Sequence, residues 1–444
     1  MTADVRPAEF AFAASKAGAS GRPRVRARTL AAAVAGNALE FYDFLAYAFF
    51  AVYIGRAFFP AATPMGSLLL SVAVFGVGFV ARPVGGLLFG AVADRVGRRA
   101  AMLQTIALIT VGTIGLAATP GYASIGPIAP IAVVAFRLIQ GLALGGEVGP
   151  STSYLVEAAP AGRRARYASW QSASQGAAAL VAGLMGLGLS LALSAQQMRD
   201  WGWRVPFSVA LLLIPVALYL RRDLPETLSA QAVGASRGGL VALRRHRGVI
   251  LLSTLAVSGG TISTYLCTYM TTFALTALRM PSAVAMGATV ALGVALIAGA
   301  LLGGWLGDRV GRRPVMLWTR VLVAMATVPA FALLMAWPNA LTLYAVTGLL
   351  TLLTGVGAAA LPTAIPELLP MGARATGLSL VYAVGVSLFG GTTQFIIAWL
   401  LDRTGNPLAP AWYVAIANLL TVLAIRRLPE SRDMRLDETS CGSA

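Results

Sequence analysis

The chain is poor in the side chains on which most catalytic and metal sites are built. Its 444 residues include one histidine, two cysteines and one lysine: His246, Cys267, Cys441 and Lys16. A P-loop requires a Gly-Lys-Ser/Thr sequence to hold nucleotide phosphates, so ATP hydrolysis by that route is excluded. The sequence also contains no metal-ligand cluster and no nucleophile–histidine pair. We therefore expect no enzymatic activity and no cofactor, and any proton transfer has to use carboxylates.

Charged residues are also scarce, and apolar runs dominate. Charged side chains make up 11% of the chain and hydrophobic ones 57%, with a mean hydropathy of +0.76, whereas a soluble globular domain carries about 25% charged residues. Apolar runs of about 18 residues or more, long enough to cross a bilayer, recur about a dozen times. This predicts an all-α polytopic membrane protein. The twelve predicted spans are 29–55, 66–91, 101–119, 124–150, 167–194, 205–222, 248–277, 284–306, 314–336, 340–366, 375–401 and 409–427.

The net charge of +17 comes from arginines that fall mainly on one side of these spans. They cluster in residues 22–28, 95–99, 163–166 and 221–247. An excess of basic residues marks cytoplasmic loops, so both termini are expected in the cytoplasm of a bacterium, with the spans in its inner membrane. Residues 1–28 contain no apolar segment typical of a cleaved signal peptide. No aromatic–basic module accompanies the charge, which argues against nucleic acid as a partner.

Two sequence repeats divide the chain into halves. GAVADRVGRR at 90–99 returns as GWLGDRVGRR at 304–313, and EAAPAGRRA at 157–165 returns as ELLPMGARA at 367–375. Repeats at half-chain spacing are typical of secondary transporters built from two related membrane halves. We predict an N-terminal tail (1–28), a six-helix bundle (29–222), a polar basic linker (223–247), a second six-helix bundle (248–427) and a C-terminal tail (428–444).

The charged residues of both repeats are candidates for gating. They fall at predicted cytoplasmic helix ends, where charges can pair across the two bundles; the alternative is that they anchor the topology and form tight turns. The candidates are Asp94, Arg95, Arg98, Glu157, Arg164, Asp308, Arg309, Arg312, Glu367 and Arg374.

Acidic residues inside the predicted spans occur in the first half. An ionised group at the centre of a span costs a few kcal/mol on insertion scales. Glu40 and Asp43 share a polar stripe of the first span with Asn37 and Tyr47. Two acids one turn apart disfavour double ionisation, so Glu40, Asp43 and also Glu147 are candidates for proton coupling. The alternative is a static ion pair with a buried arginine.

Arginines inside the spans are the candidates for binding an anion. Arg82 lies twelve residues before Asp94, or about 18 Å along a helix, which places it near the middle of the membrane. A guanidinium suits a carboxylate, and the carboxylate can belong to a substrate or to an acid of the first span. Arg137 can likewise bind a substrate or pair with an acid of the protein, and a structural or coupling ion pair is slightly favoured over direct substrate contact. Arg320, in the cytoplasmic part of the ninth span, is the main ionisable residue of the second half.

Neutral polar residues complete the predicted site. A hydroxyl stripe on the seventh span contains Thr261, Thr264, Tyr265, Thr268 and Thr272, and one face of the fifth span contains Gln171, Ser174 and Gln175. Such groups can also simply hold membrane helices together. A cavity between a cationic first half and a hydroxyl-bearing second half suits a small polar anion. The candidate substrate-binding residues are Arg82, Arg137, Gln171, Gln175, Thr264, Tyr265 and Thr268.

The repeated Gly-x-x-x-Asp-Arg-x-Gly-Arg-Arg motif, the twelve spans and the central linker together resemble the major facilitator superfamily. GNALEFYDF at 36–44, RPVGG at 82–86, RLIQGLALGGE at 137–147 and WRVPF at 203–207 are similar to the metabolite:proton symporter family. PGYASIGPIAP at 120–130, YASWQSASQ at 167–175 and WGWR at 201–204 resemble the citrate–proton symporters of that family most closely. The resemblance covers residues 29–427.

This resemblance implies a major facilitator fold and proton-driven import of citrate or a related tri- or dicarboxylate by alternating access. The expected partners are a small anionic metabolite, protons and the lipid bilayer, and we expect a monomer. The alternative substrates are a zwitterionic osmolyte such as proline or betaine, 2-oxoglutarate and shikimate. An exporter of apolar compounds and a non-transporting sensor are two further alternatives of a different class.

Overall fold

A computed structural model of the chain describes residues 27–95, 98–145, 152, 155–156, 159–160, 162–211, 215, 246–369 and 374–434. This part is helical and contains no β-strand. Nine of its helices are long and apolar enough to cross a membrane, or ten if one sharply bent pair counts as a span. The other two predicted spans are a shorter apolar helix, Leu103–Ala118, and 205–222, which lies largely outside the described residues. The prediction of an all-α polytopic membrane protein is confirmed.

The helices fall into two sets that follow the two halves of the sequence. The first set is α1 (Ala27–Phe49), α2 (Ala51–Phe58), α3 (Pro64–Arg95), α4 (Arg98–Ala118), α5 (Tyr122–Ile125), α6 (Ile128–Gly145), α7 (Arg164–Ala192) and α8 (Ala195–Asp200), with a 3₁₀ turn at Gly202–Arg204. The second set is α9 (Arg247–Thr276), α10 (Ser282–Val310), α11 (Arg312–Ala336), α12 (Ala340–Glu367), α13 (Arg374–Gly385), α14 (Gly391–Thr404) and α15 (Ala409–Arg427).

Two predicted spans are not regular helices. The first is bent by 66° between Asn37–Phe49 and Ala51–Phe58, where one continuous helix was expected. After the bend, Gly55 packs against α3. A Cβ on Gly55 would lie 2.7 Å from the carbonyl oxygen of Ser67. The eleventh contains a π-helical turn, Val386–Gly390, between α13 and α14. Such turns are frequent at functional sites, and this one lies against Tyr265.

Close backbone contacts at glycine hold α3 against α6. A Cβ on Gly141 would lie 1.9 Å from the carbonyl oxygen of Gly78, and a Cβ on Gly145 would lie 1.9 Å from that of Arg82. Small residues four apart allow membrane helices to approach in this way. The contact fixes the backbone of Arg82 relative to α6.

Substitution of Gly141 tests this contact. Gly141→Ala places a methyl group into the backbone of α3, and overpacking of this kind costs about 1–3 kcal/mol. We expect a lower melting temperature of the purified protein in detergent.

The matched control is Gly188→Ala in α7, where a Cβ meets no atom within 4 Å. Alanine is the better helix former by about 0.5–1 kcal/mol, so this variant should keep or raise the melting temperature. Equal melting temperatures for the two variants would contradict the proposed packing.

Candidate functional site

A cavity of about 160 Å³ lies between the two sets of helices. Its walls come from α1, α3, α6 and α7 of the first half and from α9 to α13 and the π-helical turn of the second. Six of the seven candidate substrate-binding residues line it: Arg82, Gln171, Gln175, Thr264, Tyr265 and Thr268. The seventh, Arg137, does not line this cavity.

Arg82 reaches the cavity from α3. Arg82 is 8% exposed. Its guanidinium carbon lies 4.0 Å from the ring centroid of Phe79 and 4.6 Å from that of Phe44. The Tyr265 hydroxyl of α9 faces the guanidinium, while Nε and Nη2 have no hydrogen-bond partner among the described residues. Aromatic faces attract a cation without neutralising it. Arg82 therefore keeps its charge and two N–H donors for a ligand.

Arg137 is instead committed to a buried network between α6 and α1. Its Nη1 donates to Oε1 of Gln140 over 2.8 Å, and Nε2 of Gln140 donates to Oδ2 of Asp43 over 2.5 Å. The guanidinium also lies 4.4 Å from the ring centroid of Tyr47. Arg137 and Asp43 interact through Gln140 and through their opposite charges, so protonation of Asp43 would change the field at Arg137.

The two candidate acids of α1 are both buried. Asp43 interacts electrostatically with Arg137 and Glu40 with Arg82. Each acid is therefore associated with a different arginine, one in the buried network and one at the cavity. This arrangement connects the charge state of α1 to both cations of the first half.

Gln171 is oriented by a residue of the α1 stripe. Its Nε2 donates to Oδ1 of Asn37 over 2.9 Å, and Nδ2 of Asn37 donates to Oγ of Ser174 over 2.6 Å. The pair joins α1 to α7 beside the cavity. Asn37 therefore acts on the site as a positioning residue, a role that its place on the polar stripe could have indicated.

The hydroxyl stripe of α9 meets the cavity as acceptors. Thr264 donates its hydroxyl hydrogen to the carbonyl of Gly260 and Thr268 donates to that of Thr264, each over 2.9 Å. Because these hydrogens are used inside the helix, the oxygen lone pairs are left for a ligand. As hydrogen-bond acceptors, these two threonines suit a hydroxyl or a protonated carboxyl group of a substrate.

Arg320 also lines the cavity, from α11 of the second half. It is 3% exposed. Arg320 was expected in the cytoplasmic part of its span and was not among the predicted binding residues. Its position as a lone arginine in an apolar span was the signal that could have indicated it.

Charged residues of the repeats meet at what we call the arginine-rich end, formed by Arg164, Asp308, Arg312 and Glu367. Asp308 of α10 accepts hydrogen bonds from the backbone N–H groups of Ala165 and Arg166 at the start of α7, over 2.9 and 3.1 Å. A carboxylate is stabilised at a helix N-terminus. These contacts join the two halves.

Glu367 is the centre of this end. It is fully buried, with an oxygen 3.0 Å from Nη2 of Arg312 in its own half and 3.3 Å from Nη1 of Arg164 in the other. Ser431, after α15, donates to its second oxygen over 2.7 Å. Glu367 therefore bridges cations of both halves, a suitable arrangement for a gate.

The remaining gating candidates differ in what the structure describes of them. Arg309 is exposed and lies 4.7 Å from the ring centroid of Trp305. The side chains of the other gating candidates lie outside the described residues: Asp94, Arg95, Arg98, Glu157 and Arg374. The side chain of Glu147, a candidate for proton coupling, also lies outside them.

Comparisons with known proteins agree with this architecture. The model of the sugar (and other) transporter family matches residues 28–237 and 229–441. A citrate-proton symporter of Salmonella typhi is 36% identical over 397 residues, covering 88% of this chain and 92% of that protein. An alpha-ketoglutarate permease of Escherichia coli strain K12 is 36% identical over 434 residues, covering 94% and 97% of the two chains.

The fold is also that of a solved transporter. A partially occluded, inward-open structure of the xylose transporter XylE from E. coli superposes with a TM-score of 0.73, at 17% identity, over 92% of this chain and 99% of that one. The relatives named here are transporters and none is an enzyme, as expected from the sequence.

Neutralising Glu367 tests the gate. Removing one member of a buried ion pair costs about 3–5 kcal/mol, because the other charge is left unpaired. In Glu367→Gln, we expect α7 and α11 to separate at the arginine-rich end, which spin labels on the two helices would report as a longer and broader distance distribution.

The control is Asp433→Asn, which removes an exposed carboxylate 4.0 Å from Arg432. An exposed pair contributes about 0–1 kcal/mol, so the distance distribution should not change. A wild-type distribution in Glu367→Gln would rule out the role of this carboxylate in holding the halves together.

Proposed function

The chain belongs to the sugar (and other) transporter family of the major facilitator superfamily, and we propose that it imports citrate or a related tri- or dicarboxylate together with protons. The observation that carries this proposal is Arg82, a buried cation at the cavity with two N–H donors that meet no described residue. A guanidinium in that state binds a carboxylate strongly, since the hydrogen bonds are charge-assisted. The names of the citrate and alpha-ketoglutarate relatives support the same class of substrate.

The rest of the cavity fits this class. Gln175 and Gln171 from α7, and Thr264, Tyr265 and Thr268 from α9, would orient the bound acid. The acceptor lone pairs of the α9 hydroxyls suit the hydroxyl group of citrate or a protonated carboxyl group. Arg137 would act through Asp43 rather than on the substrate, because it does not line the cavity.

Protons are needed because the substrate is a polyanion. Moving one elementary charge against a membrane potential of 100 mV costs about 2.3 kcal/mol, and accompanying protons cancel that cost. Asp43 and Glu40 are the described candidates for carrying them, and Glu147 is a third. Each described acid interacts with an arginine, so protonation would be felt at the cavity.

Alternating access would use the contacts between the halves. The arginine-rich end would face the cytoplasm, as the charge asymmetry of the loops indicates, in the inner membrane of a bacterium. There Glu367, Asp308 and their partners would open and close the cavity as the bundles 29–222 and 248–427 move. We propose a monomer, because each chain carries both halves of the cavity.

Uptake of labelled citrate into proteoliposomes with an imposed inward proton gradient tests the proposed function. Accumulation that a protonophore abolishes is the expected result. Competition by 2-oxoglutarate, shikimate and betaine then separates the alternative substrates. Correctly reconstituted protein that accumulates betaine and no carboxylate would overturn the proposal.

Arg82→Ala should abolish uptake while the amount of protein in the membrane stays normal. The substitution removes the guanidinium that would bind a substrate carboxylate, and a charge-assisted hydrogen bond contributes about 1.5–3 kcal/mol. Arg199→Ala, which removes an exposed arginine of α8, is the matched control and should transport normally. Normal citrate uptake by Arg82→Ala would remove Arg82 from the binding site.

Asp43→Asn separates proton coupling from binding. The amide mimics the protonated acid but cannot release a proton, so we expect loss of gradient-driven accumulation and retention of citrate exchange across the membrane. Glu40→Gln in the same assay identifies which acid of α1 carries the proton. If both variants accumulate citrate like the wild type, neither acid couples transport.

A further inference from the structure

We propose that Arg320 forms a second carboxylate subsite, opposite Arg82, and that this subsite restricts the transporter to acids with at least two carboxylates. This rests on the proposed function, because it assumes that the cavity binds an anion. Arg82 and Arg320 line the same cavity from different halves of the chain. A substrate with one carboxylate can neutralise only one of them.

The guanidinium of Arg320 lies next to a glycine of α9 and a glycine of α12. A Cβ on Gly260 of α9 would lie 3.2 Å from Nη2, and a Cβ on Gly357 of α12 would lie 2.8 Å from it. Gly260 is itself part of the cavity wall. The two glycines therefore leave the guanidinium a position between α9 and α12 at the edge of the cavity.

The charge of Arg320 is not neutralised there. Arg320 takes part in none of the salt bridges between described residues. Its Nη1 donates to Oδ1 of Asn418 over 3.4 Å, a long bond to a neutral amide. The amide nitrogen of Asn418 donates to Ser263 and Val414, both over 2.8 Å, which fixes the oxygen toward Arg320. Buried charges are normally paired, so an anion in the cavity is the expected partner.

Two hydroxyls beside this cation point to a ligand independently. Thr351 and Thr354 of α12 are 3% and 1% exposed and line the cavity. Their hydroxyl oxygens form no hydrogen bond with an oxygen or nitrogen atom of the described residues. The nearby Cys267 thiol offers them only a weak interaction. A substrate carboxylate between these hydroxyls and Arg320 would accept a hydrogen bond from each hydroxyl.

Selectivity follows from the two separated cations. A tri- or dicarboxylate would place one carboxylate against each guanidinium. A monocarboxylate bound at Arg82 would leave Arg320 without an anion, and a zwitterion would bring its ammonium group toward a second cation. Like charges in contact disfavour the wrong ligand, so a zwitterionic osmolyte is the poorest fit.

Binding of citrate, 2-oxoglutarate and pyruvate to the full-length protein in detergent tests the subsite. In Arg320→Gln, we expect the dissociation constants of citrate and 2-oxoglutarate to rise about 10- to 100-fold, the loss of a charge-assisted hydrogen bond. The dissociation constant of pyruvate should stay unchanged, since Arg82 would bind its single carboxylate. In Arg82→Gln, the affinity for all three acids should fall.

The double variant Thr351→Val/Thr354→Val provides a second arm, which decides the test if Arg320→Gln does not fold. This variant should weaken the binding of citrate more than the binding of pyruvate. Thr347→Val is its matched control, because that buried hydroxyl lies on the same helix, has no partner among the described residues and does not line the cavity.

Two outcomes would overturn the proposal, and they differ from each other. If the wild-type protein binds none of the three acids, both the proposed function and the subsite are wrong. If it binds citrate, and Arg320→Gln or the double threonine variant keeps the wild-type preference for citrate over pyruvate, only the subsite is wrong.

Discussion

The site depends on the cost of holding a guanidinium away from water. Arginine keeps its charge at physiological pH, so each buried arginine has to meet an anion or a substitute for one. Arg137 donates to Gln140, interacts with Asp43 and does not line the cavity, although its Nε and Nη2 have no hydrogen-bond partner among the described residues. Arg82 and Arg320 both line the cavity. Arg82 lies against two aromatic rings and interacts with Glu40, whereas Arg320 donates to a neutral amide. Position at the cavity therefore separates Arg137 from the two arginines that are open to a ligand.

The same constraint organises the arginine-rich end. Glu367 is buried between Arg312 of its own half and Arg164 of the other, so opening this end separates a carboxylate from one of its cations. The two sites would then be alternatives in electrostatic terms. The cations of the arginine-rich end are neutralised while the halves are joined there, whereas those of the cavity would be neutralised by a bound substrate.

The sequence predicted the helical class well because the length and hydrophobicity of a span are local properties. The division into two bundles, taken from the repeated motif, stays a prediction. Six of the candidate residues line one cavity, because their spacing along the sequence determines which residues share a face of each helix. The spacing does not indicate which helix each face contacts. Only the packing of the helices therefore showed that Arg320 lines the cavity and that Arg137 does not. The 66° bend after Phe49 and the π-helical turn at Val386–Gly390 were likewise not predicted, because hydrophobic periodicity does not indicate where a helix bends or widens.

Under the proposed function, cations on different halves of the cavity would have a mechanical consequence. In an empty cavity, the like charges of Arg82 and Arg320 would oppose closure of the halves around them. A bound polyanion would reverse the sign of this interaction, because each half would then be attracted to the same ligand. Substrate would thus favour closure, since a ligand changes a conformational equilibrium by its difference in affinity for the two states. A proton that binds to Asp43 or Glu40 adds to this difference by altering the field at Arg137 or Arg82. Substrate and proton would thus act on the same set of charges, which is the physical requirement for coupled transport.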